Sequence, residues 1–196
     1  MSLTIVQTGE PVLRQQARLL RHNEVRSKEI RQLIEDMKDA MHAAPGVGLA
    51  APQIGKGLQL AVIEDRPEYT KDWTAAQLAE RDRRPVPFHV IINPRLTLIG
   101  DERVESFEGC LSVDGLMALV PRAKQVRVEC LDEKGDAKVI EAAGWYARIL
   151  QHEIDHLCGT LYIDHMHTRT LMTVENFTKH WKEKTLSETC RLLAIE

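Results

Sequence analysis

The sequence predicts an α+β fold, with short, mostly antiparallel strands packed around a central helix and further helices towards the N-terminal and C-terminal ends. Two segments with helical periodicity flank a middle region that is rich in strand-like segments. With 196 residues, 43% hydrophobic and 28% charged, the chain has the size and composition of an ordinary globular domain. We therefore expect one domain over residues 1–196.

The first predicted helix spans about Val25 to Ala44. Apolar residues recur there at the spacing that places them on one helix face: Ile30, Leu33, Ile34, Met37 and Met41. Ser27 is a suitable N-cap, and Pro45-Gly46 ends the helix. We interpret the two methionines as core residues.

Five strand-like segments occupy the middle of the chain: Leu58–Glu64, Phe88–Ile92, Arg95–Ile99, Lys124–Leu131 and Ala137–Ala142. A turn over Asp132–Asp136 joins the last two as a hairpin. The alternation in Lys124–Leu131 places Cys130 on the apolar face, as an inert packing thiol. A buried helix over Trp145–Leu157, which Gly159 ends, and a last helix over about Thr173–Leu193 complete the prediction.

Two segments are expected to lie at the surface. Residues 66–87 are polar and charged, which predicts an insertion with a short helix over Thr74–Glu80. Its charge run, Arg81-Asp82-Arg83-Arg84, is typical of a solvated face. We expect residues 171–196 to form a C-terminal helical tail.

Charge and composition exclude several classes of partner. A formal net charge of −3 gives no general attraction for phosphate backbones, so we expect no direct nucleic-acid function. The apolar runs are much shorter than the ~20 residues that span a bilayer, so we expect no membrane association. The first residues match neither a signal peptide nor a transit peptide, which fits a cytoplasmic bacterial protein and equally a mature organellar form. The four cysteines are widely spaced, which favours reduced thiols.

The segment Gln151-His-Glu-Ile-Asp-His-Leu157 makes the central helix a predicted metal-binding helix. Residues four positions apart lie on the same helix face, so His152 and His156 can bind one cation. Glu153 is rotated by about 100° from His152, which leaves it free to act as a base on a metal-bound water. Trp145 and Ile149 continue the histidine stripe and indicate apolar surroundings.

The residues alone leave the third ligand open. A catalytic zinc-like site has three protein ligands and one open position. Metzincin-type proteases place a third histidine where this chain has Tyr162, and thermolysin-type enzymes use a glutamate further along, for which Glu175 is the nearest candidate. Cys110, in a turn-rich segment, would complete a thiolate and two imidazoles, a set that suits Zn²⁺, Fe²⁺, Ni²⁺ or Co²⁺. A structural, non-catalytic metal site is a further alternative, although such sites usually have four protein ligands.

Three segments together resemble the motifs of the peptide deformylase family: Gly46-Val-Gly-Leu-Ala-Ala-Pro-Gln53, Glu108-Gly-Cys-Leu-Ser112 and Gln151-His-Glu-Ile-Asp-His-Leu157. Their order and spacing also agree with the family, from about Val6 to Thr170. Many bacterial members have proline where this chain has Asp114. That aspartate, with Val120-Pro-Arg122 and Gly144-Trp-Tyr-Ala-Arg148, is similar to the subclass found in mitochondria and plants.

The resemblance implies a metal-dependent hydrolase that removes the formyl group from the N-terminal formylmethionine of newly made polypeptides and releases formate. It implies that Cys110, His152 and His156 bind one divalent metal ion, Fe²⁺ in the cell, which Zn²⁺, Ni²⁺ or Co²⁺ can replace. Glu153 would be the general base. The Gln53 amide and the Leu111 backbone N–H would stabilise the formyl oxygen.

The resemblance also implies how the substrate binds. The loop with Gly46 and Gly48 would pair with the extended peptide. At Gly109, the absence of a side chain would let the backbone pass close to a ligand. Candidates for the pocket of the methionine side chain are Val47, Trp145 and Ile149. The expected partners are N-formylmethionyl peptides and nascent chains, with a transient ribosome contact expected from the function only.

Overall fold

The computed structural model describes residues 3–195, so Met1, Ser2 and Glu196, which the predicted domain and tail include, lie outside it. The helices are α1 (His22–Val25), α2 (Lys28–Ala43), α3 (Ala75–Glu80), α4 (Gly144–Leu157), α5 (Val174–His180) and α6 (Leu186–Leu193). The strands are β1 (Gly48–Ala50), β2 (Leu60–Asp65), β3 (Val86–Cys110), β4 (Val113–Leu131), β5 (Ala137–Ala143) and β6 (Met172–Thr173). No helix within residues 3–195 combines the length and the apolar character needed to cross a membrane.

The described strands form one antiparallel sheet. Strands β1 to β5 lie side by side in chain order, and β6 pairs with β4. Antiparallel neighbours need only short connections, and the predicted turn after Leu131 does join β4 to β5. The predicted α+β class with antiparallel strands is confirmed.

Strand β3 corrects the prediction of two separate strands over Phe88–Ile92 and Arg95–Ile99. The chain continues through Asn93-Pro94 as one strand, with register shifts between Ile92 and Arg95 and again between Ile99 and Arg103. Asn93 takes a φ of +53°, which asparagine tolerates better than most residues. Its side-chain amide also binds the backbone N–H and C=O of Leu20, both at 2.9 Å. An Asn-Pro pair that normally indicates a turn is therefore a bulge inside a long strand.

Helix α2 packs its apolar face against β1 and β2. The Ser27 hydroxyl accepts a hydrogen bond from the Ile30 N–H at 3.2 Å, so the predicted N-cap is confirmed. Met37 and Met41 are fully buried beside Leu49, as expected for core residues. The helix begins at Lys28 instead of Val25 because residues 22–25 form the separate turn α1.

Helix α4 lies across the sheet and confirms the prediction for Trp145–Leu157. Its apolar face packs with strand residues, among them Leu150 and Ile154 against Val126 and Val128. This packing fixes the rotation of the helix about its axis. The direction of each polar side chain on α4 is therefore determined by core burial.

The predicted last helix over Thr173–Leu193 is wrong as a single element. Helices α5 and α6 are separate because Thr185 begins a new helix, where its hydroxyl accepts a hydrogen bond from Glu188 N at 3.2 Å. Both helices are largely exposed. Phe177 packs on Phe107 of β3, with ring centroids 4.8 Å apart, and so attaches the tail to the sheet.

Residues 66–85, which we call the insertion, connect β2 to β3. Helix α3 confirms the predicted helix over Thr74–Glu80, and the Thr74 hydroxyl caps it. The expected solvated charge run is wrong for Arg83. The Arg83 side chain is only 8% exposed, and its guanidinium donates two hydrogen bonds of 2.8 Å to the buried carboxylate of Asp65.

Candidate metal centre

Three side chains from β3 and α4 meet at one point. One ligand atom from each of Cys110, His152 and His156 lies within 4.8 Å of the others, and no further His, Cys, Asp or Glu of residues 3–195 joins the group. Cys110 Sγ is 3.2 Å from His156 Nε2. A thiolate with two imidazoles suits Fe²⁺, Zn²⁺, Ni²⁺ or Co²⁺. Three protein ligands also leave one coordination position open, so the group fits a catalytic divalent cation.

The positions of the ligands follow from the two elements that carry them. Cys110 is the last residue of β3, so the expected turn-rich segment is a strand up to the ligand itself. His152 and His156 lie one turn apart on α4, with ring centroids separated by 5.1 Å. Two hydrogen bonds reach the Cys110 sulfur, from Ser112 N at 3.4 Å and Gln53 Nε2 at 3.5 Å.

A buried acid holds His152. Glu108 Oε2 is 3.0 Å from Nδ1 of His152, which leaves Nε2 free for a metal. The same carboxylate accepts hydrogen bonds from Arg122 Nε and Nη2, both at 3.0 Å, and from Arg148 Nη1 at 2.6 Å. We call Glu108, Arg122, Arg148 and His152 the ion cluster. The cluster therefore fixes the position and orientation of the His152 ring.

The surroundings of these groups decide their charges. Burial alone would raise the pKa of Glu108, but the hydrogen bond from His152 and the charge of Arg122 outweigh it and hold the pKa well below its usual range. Burial, with the charge of His152 as a second cause, lowers the pKa of His156 well below its usual range. Glu108 is therefore an anion, and His156 is kept in the neutral form that a metal needs.

Glu153 has the opposite surroundings. It is 3% exposed, its Oε2 has no hydrogen-bond partner among the described residues, and burial raises its pKa to about 7. A Cβ atom added at Gly48 would lie 2.2 Å from Glu153 Oε1, so the carboxylate occupies the space that a side chain at position 48 would need. Glu153 is thus a carboxylate poised to gain or lose a proton near neutral pH.

The amide of Gln53 is fixed in one orientation. Its Oε1 accepts a hydrogen bond from Ala50 N at 2.8 Å, which turns Nε2 towards Ser112 Oγ at 3.3 Å and towards Cys110. Leu111 follows Cys110 directly, and its carbonyl accepts a hydrogen bond from Gln7 Nε2 at 2.9 Å. Both predicted oxyanion donors therefore belong to segments that are held beside the ligand thiolate.

A cavity of about 730 Å³ opens at the centre, within the range of about 300–1,000 Å³ that is usual for ligand sites. All six residues predicted to contact the substrate line it: Gly46, Val47, Gly48, Gly109, Trp145 and Ile149. A Cβ at Gly46 would lie 2.9 Å from Leu111 Cδ1, so a side chain there would require the end of the Leu111 side chain to move. At Gly109 the nearest atom is 3.5 Å away, so close packing does not require glycine at that position.

A protein-family model described as polypeptide deformylase matches residues 2–171. The chain belongs to this family. Peptide deformylase 1A, chloroplastic, of Solanum lycopersicum is 51% identical over 88% of this chain and 62% of its own length. Peptide deformylase 1 of Streptomyces coelicolor is 43% identical over 99% of this chain and 87% of its own length.

A solved structure agrees with the family assignment. The peptide deformylase of Ehrlichia chaffeensis has a TM-score of 0.72 and 36% identity, and the match covers 85% of this chain and 88% of that one. The chain spans a little under two thirds of the length of the two plant relatives, 62% for tomato and 64% for Arabidopsis thaliana. The human relative is named as mitochondrial, and its identity is 38%.

The other candidates for the third ligand do not join the ligand group. Tyr162 is buried and stacks on the His152 ring, with centroids 6.2 Å apart, but it is not in the ligand group. Glu175 lies exposed in the first turn of α5. The arrangement therefore favours Cys110, and neither protease pattern is supported.

Sequence reasoning missed the partners of Glu108. In the sequence, Arg122 and Arg148 are noticeable only because they lie in segments similar to one deformylase subclass. Both are about 5% exposed or less. An arginine inside an apolar stretch, as both are, is the available signal for a buried ion pair. Cys158 is exposed after α4, whereas Cys130 is buried as predicted.

Proposed function

We propose that the chain is a metal-dependent hydrolase that removes the formyl group from the N-terminal formylmethionine of newly made polypeptides and releases formate. The arrangement of Glu153 carries this proposal, because a buried carboxylate whose Oε2 has no partner among residues 3–195 lies beside three metal ligands, where it can serve as a base. Family membership supports the same reaction.

The residues of the site divide the work among them. A divalent cation held by Cys110, His152 and His156, which we propose to be Fe²⁺ in the cell and replaceable by Zn²⁺, Ni²⁺ or Co²⁺, supplies Lewis acidity. Glu153 takes a proton from the attacking water and passes it to the nitrogen that leaves as the free amine. The C–N bond of the formamide breaks, and the products are formate and the same peptide with a free amino terminus.

The formyl oxygen gains negative charge as water adds to the carbon. Gln53 Nε2 and the Leu111 backbone N–H are the donors that we assign to this oxygen. Because Ala50 fixes the Gln53 amide beforehand, no reorganisation is needed when the charge develops.

The cavity is the binding site that we propose for the substrate peptide. A peptide deformylase of Acinetobacter baumannii, with a TM-score of 0.75 to this chain, is described with Met-Ala-Ser bound. We propose that a peptide of this kind lies along Gly46 and Gly48, with Gly109 opposite, as an added strand. Val47, Trp145 and Ile149 then surround the methionine side chain.

We propose that the enzyme meets nascent chains through a transient ribosome contact. It would act where formylated chains are made, in a bacterial cytoplasm or inside an organelle. Relatives named as chloroplastic and as mitochondrial, together with bacterial ones, support both locations.

Formate release from formyl-Met-Ala-Ser tests the proposal. Protein loaded with Fe²⁺ without oxygen, or with Ni²⁺, should release formate, and Glu153→Gln should lower kcat by about 10²–10⁴-fold while one metal per chain stays bound. Glu141→Gln, on the exposed face of β5, is the matched control and should keep full activity.

Two outcomes contradict the proposal. One metal per chain with no formate release from the wild-type protein would indicate a structural site. Cleavage of internal bonds in unformylated peptides would indicate a protease instead.

A further inference from the structure

Arg83 lies between two tryptophans. Its guanidinium carbon is 4.9 Å from the ring centroid of Trp73 and 4.8 Å from that of Trp145. Trp73 belongs to the insertion, whereas Trp145 is in the first turn of α4 and lines the cavity, as does Arg83 itself. A row of three stacked side chains therefore runs from the insertion to the cavity wall.

Asp65 fixes the middle member of this row. Its carboxylate, which is 2% exposed, accepts two hydrogen bonds from Arg83, each 2.8 Å long. A two-point pair of this kind sets the plane of the guanidinium and not only its position. The plane in turn decides how the indole of Trp145 lies against it.

A second contact presses the insertion onto the start of α4. Gly144 has a φ of +60°, and a Cβ added there would lie 2.5 Å from the Cβ of Asp82 and 2.9 Å from its carbonyl oxygen. Only glycine fits such an approach without a shift of the backbone. The insertion and the first turn of α4 are therefore packed as one unit.

The indole of Trp145 has no hydrogen bond to orient it. Its Nε1 is buried and has no partner among the described residues. The ring is held by packing, against the Arg83 guanidinium and against the buried apolar cluster that Val47 also contacts.

We propose that Arg83 is a positioning residue that holds the Trp145 indole as a wall of the cavity and thereby sets selectivity for the first side chain of the peptide. The inference rests on the proposed function, because the selectivity is that of formyl-peptide hydrolysis. The insertion is thus a part of the specificity pocket, although it contains no residue of the three motifs.

The test compares Arg83→Lys with Arg81→Lys. Lysine keeps a positive charge for Asp65 but loses the planar group that stacks on the indole. Arg81 is the matched control because it stacks on the same Trp73 ring, at 5.0 Å, but contributes nothing to the cavity lining. The assay measures kcat/KM for formyl-Met-Ala-Ser and formyl-Phe-Ala-Ser, and the Kd of the product Met-Ala-Ser by tryptophan fluorescence.

We expect Arg83→Lys to lower the Met-over-Phe ratio of kcat/KM about tenfold, because a pocket change of this size is worth roughly 10–200-fold in selectivity. The change should appear mainly in KM, since the side-chain pocket binds substrate and transition state alike. The Kd of Met-Ala-Ser should rise by a similar factor, and Arg81→Lys should change neither quantity. A general loss of folding would lower both substrates equally and leave the ratio unchanged.

An unchanged ratio in Arg83→Lys, or an equal change in Arg81→Lys, would overturn the inference. If Arg83→Lys does not fold, Trp73→Leu removes the outer member of the row and should shift the ratio in the same direction by a smaller factor. Wild-type protein that releases no formate would refute the proposed function instead, so the two failures are distinguishable.

Discussion

Glu108 in the ion cluster and Glu153 on α4 are both buried carboxylates, but their surroundings have opposite effects on their pKa values. Glu108 and Glu153 are 5% and 3% exposed, and the charge of His152 acts on both carboxylates. Glu108 meets two arginines and an imidazole, so its pKa is far below the usual value. Within residues 3–195 Glu153 Oε2 has no hydrogen-bond partner, and burial raises the pKa of Glu153 to about 7.

The difference shows which acid is for structure and which is for chemistry. A carboxylate whose charge is fully matched cannot exchange a proton near neutral pH, but it can hold a ligand in place. An unmatched carboxylate costs stability and gains the ability to accept and return a proton. Glu108 lies on β3 and Glu153 on α4, and His152, the neighbour of Glu153 in the chain, is hydrogen-bonded to Glu108.

Loss of Glu108 should have the largest effect. Glu108→Ala leaves two buried arginines without their acid, so we expect a loss of about 3–5 kcal/mol in the free energy of unfolding. Metal affinity should also fall about 10–100-fold, because His152 loses its partner. Urea unfolding and metal titration measure the two effects.

Glu102→Ala is the control for this change. Glu102 pairs with Lys124 at 2.9 Å on the surface, and exposed pairs of this kind are worth about 0–1 kcal/mol. Equal effects of the two substitutions would show that the ion cluster is no more important than a surface pair.

Glu153→Gln, which should lower kcat, should also stabilise the metal-free protein. The folded protein holds the Glu153 proton up to about pH 7, whereas the pKa of a glutamate in the unfolded chain is 4.5, so wild-type stability falls as the pH rises between these values. At pH 8 the variant should therefore be more stable by about 3 kcal/mol. At pH 4 the gain should vanish.

Thermal unfolding of metal-free protein across this pH range is the measurement. Glu129→Gln, on the exposed face of β4, should show no comparable gain at any pH. A wild-type protein that is as stable as Glu153→Gln at pH 8 would mean that Glu153 is matched in charge after all.

Gly48→Ala should displace Glu153 and leave the ion cluster unchanged. The added Cβ would displace a carboxylate that now lies 2.2 Å from its position, and a shift of about 1 Å costs roughly 10²-fold in rate. Steady-state kinetics of formate release measures this. Gly57→Ala, where an added Cβ meets nothing within 4 Å, should keep wild-type activity, and an active Gly48→Ala would show that Glu153 tolerates displacement.

The sequence predicts the metal ligands of this site better than it predicts the residues that hold those ligands in place. His152 and His156 are found by helical spacing, and the motif around Cys110 supplies the third candidate. The partners of Glu108 are not found, because Arg122 and Arg148 are far apart in the chain and only the fold brings them to one carboxylate. The same holds for Arg83, whose burial depends on the distant Asp65 and Trp145.

The predicted boundaries of helices and strands are wrong where tertiary contacts override local sequence signals. Asn93-Pro94 reads as a break, yet bonds to Leu20 stabilise a bulge there, and β3 continues. In the tail, a turn over residues 181–184 follows α5, and the cap at Thr185 begins α6. Local periodicity reports which residues face a core, but it does not report where the chain bends.

The long β3–β4 ribbon has a consequence for how the molecule is made. Cys110 lies at the end of β3, and its histidine partners follow only after β4 and β5 have been synthesised. Contacts between residues so distant along a chain form late and slowly in folding. The metal centre therefore cannot assemble on a growing chain until α4 has emerged and packed on the sheet, and from that moment metal binding adds directly to the free energy of folding.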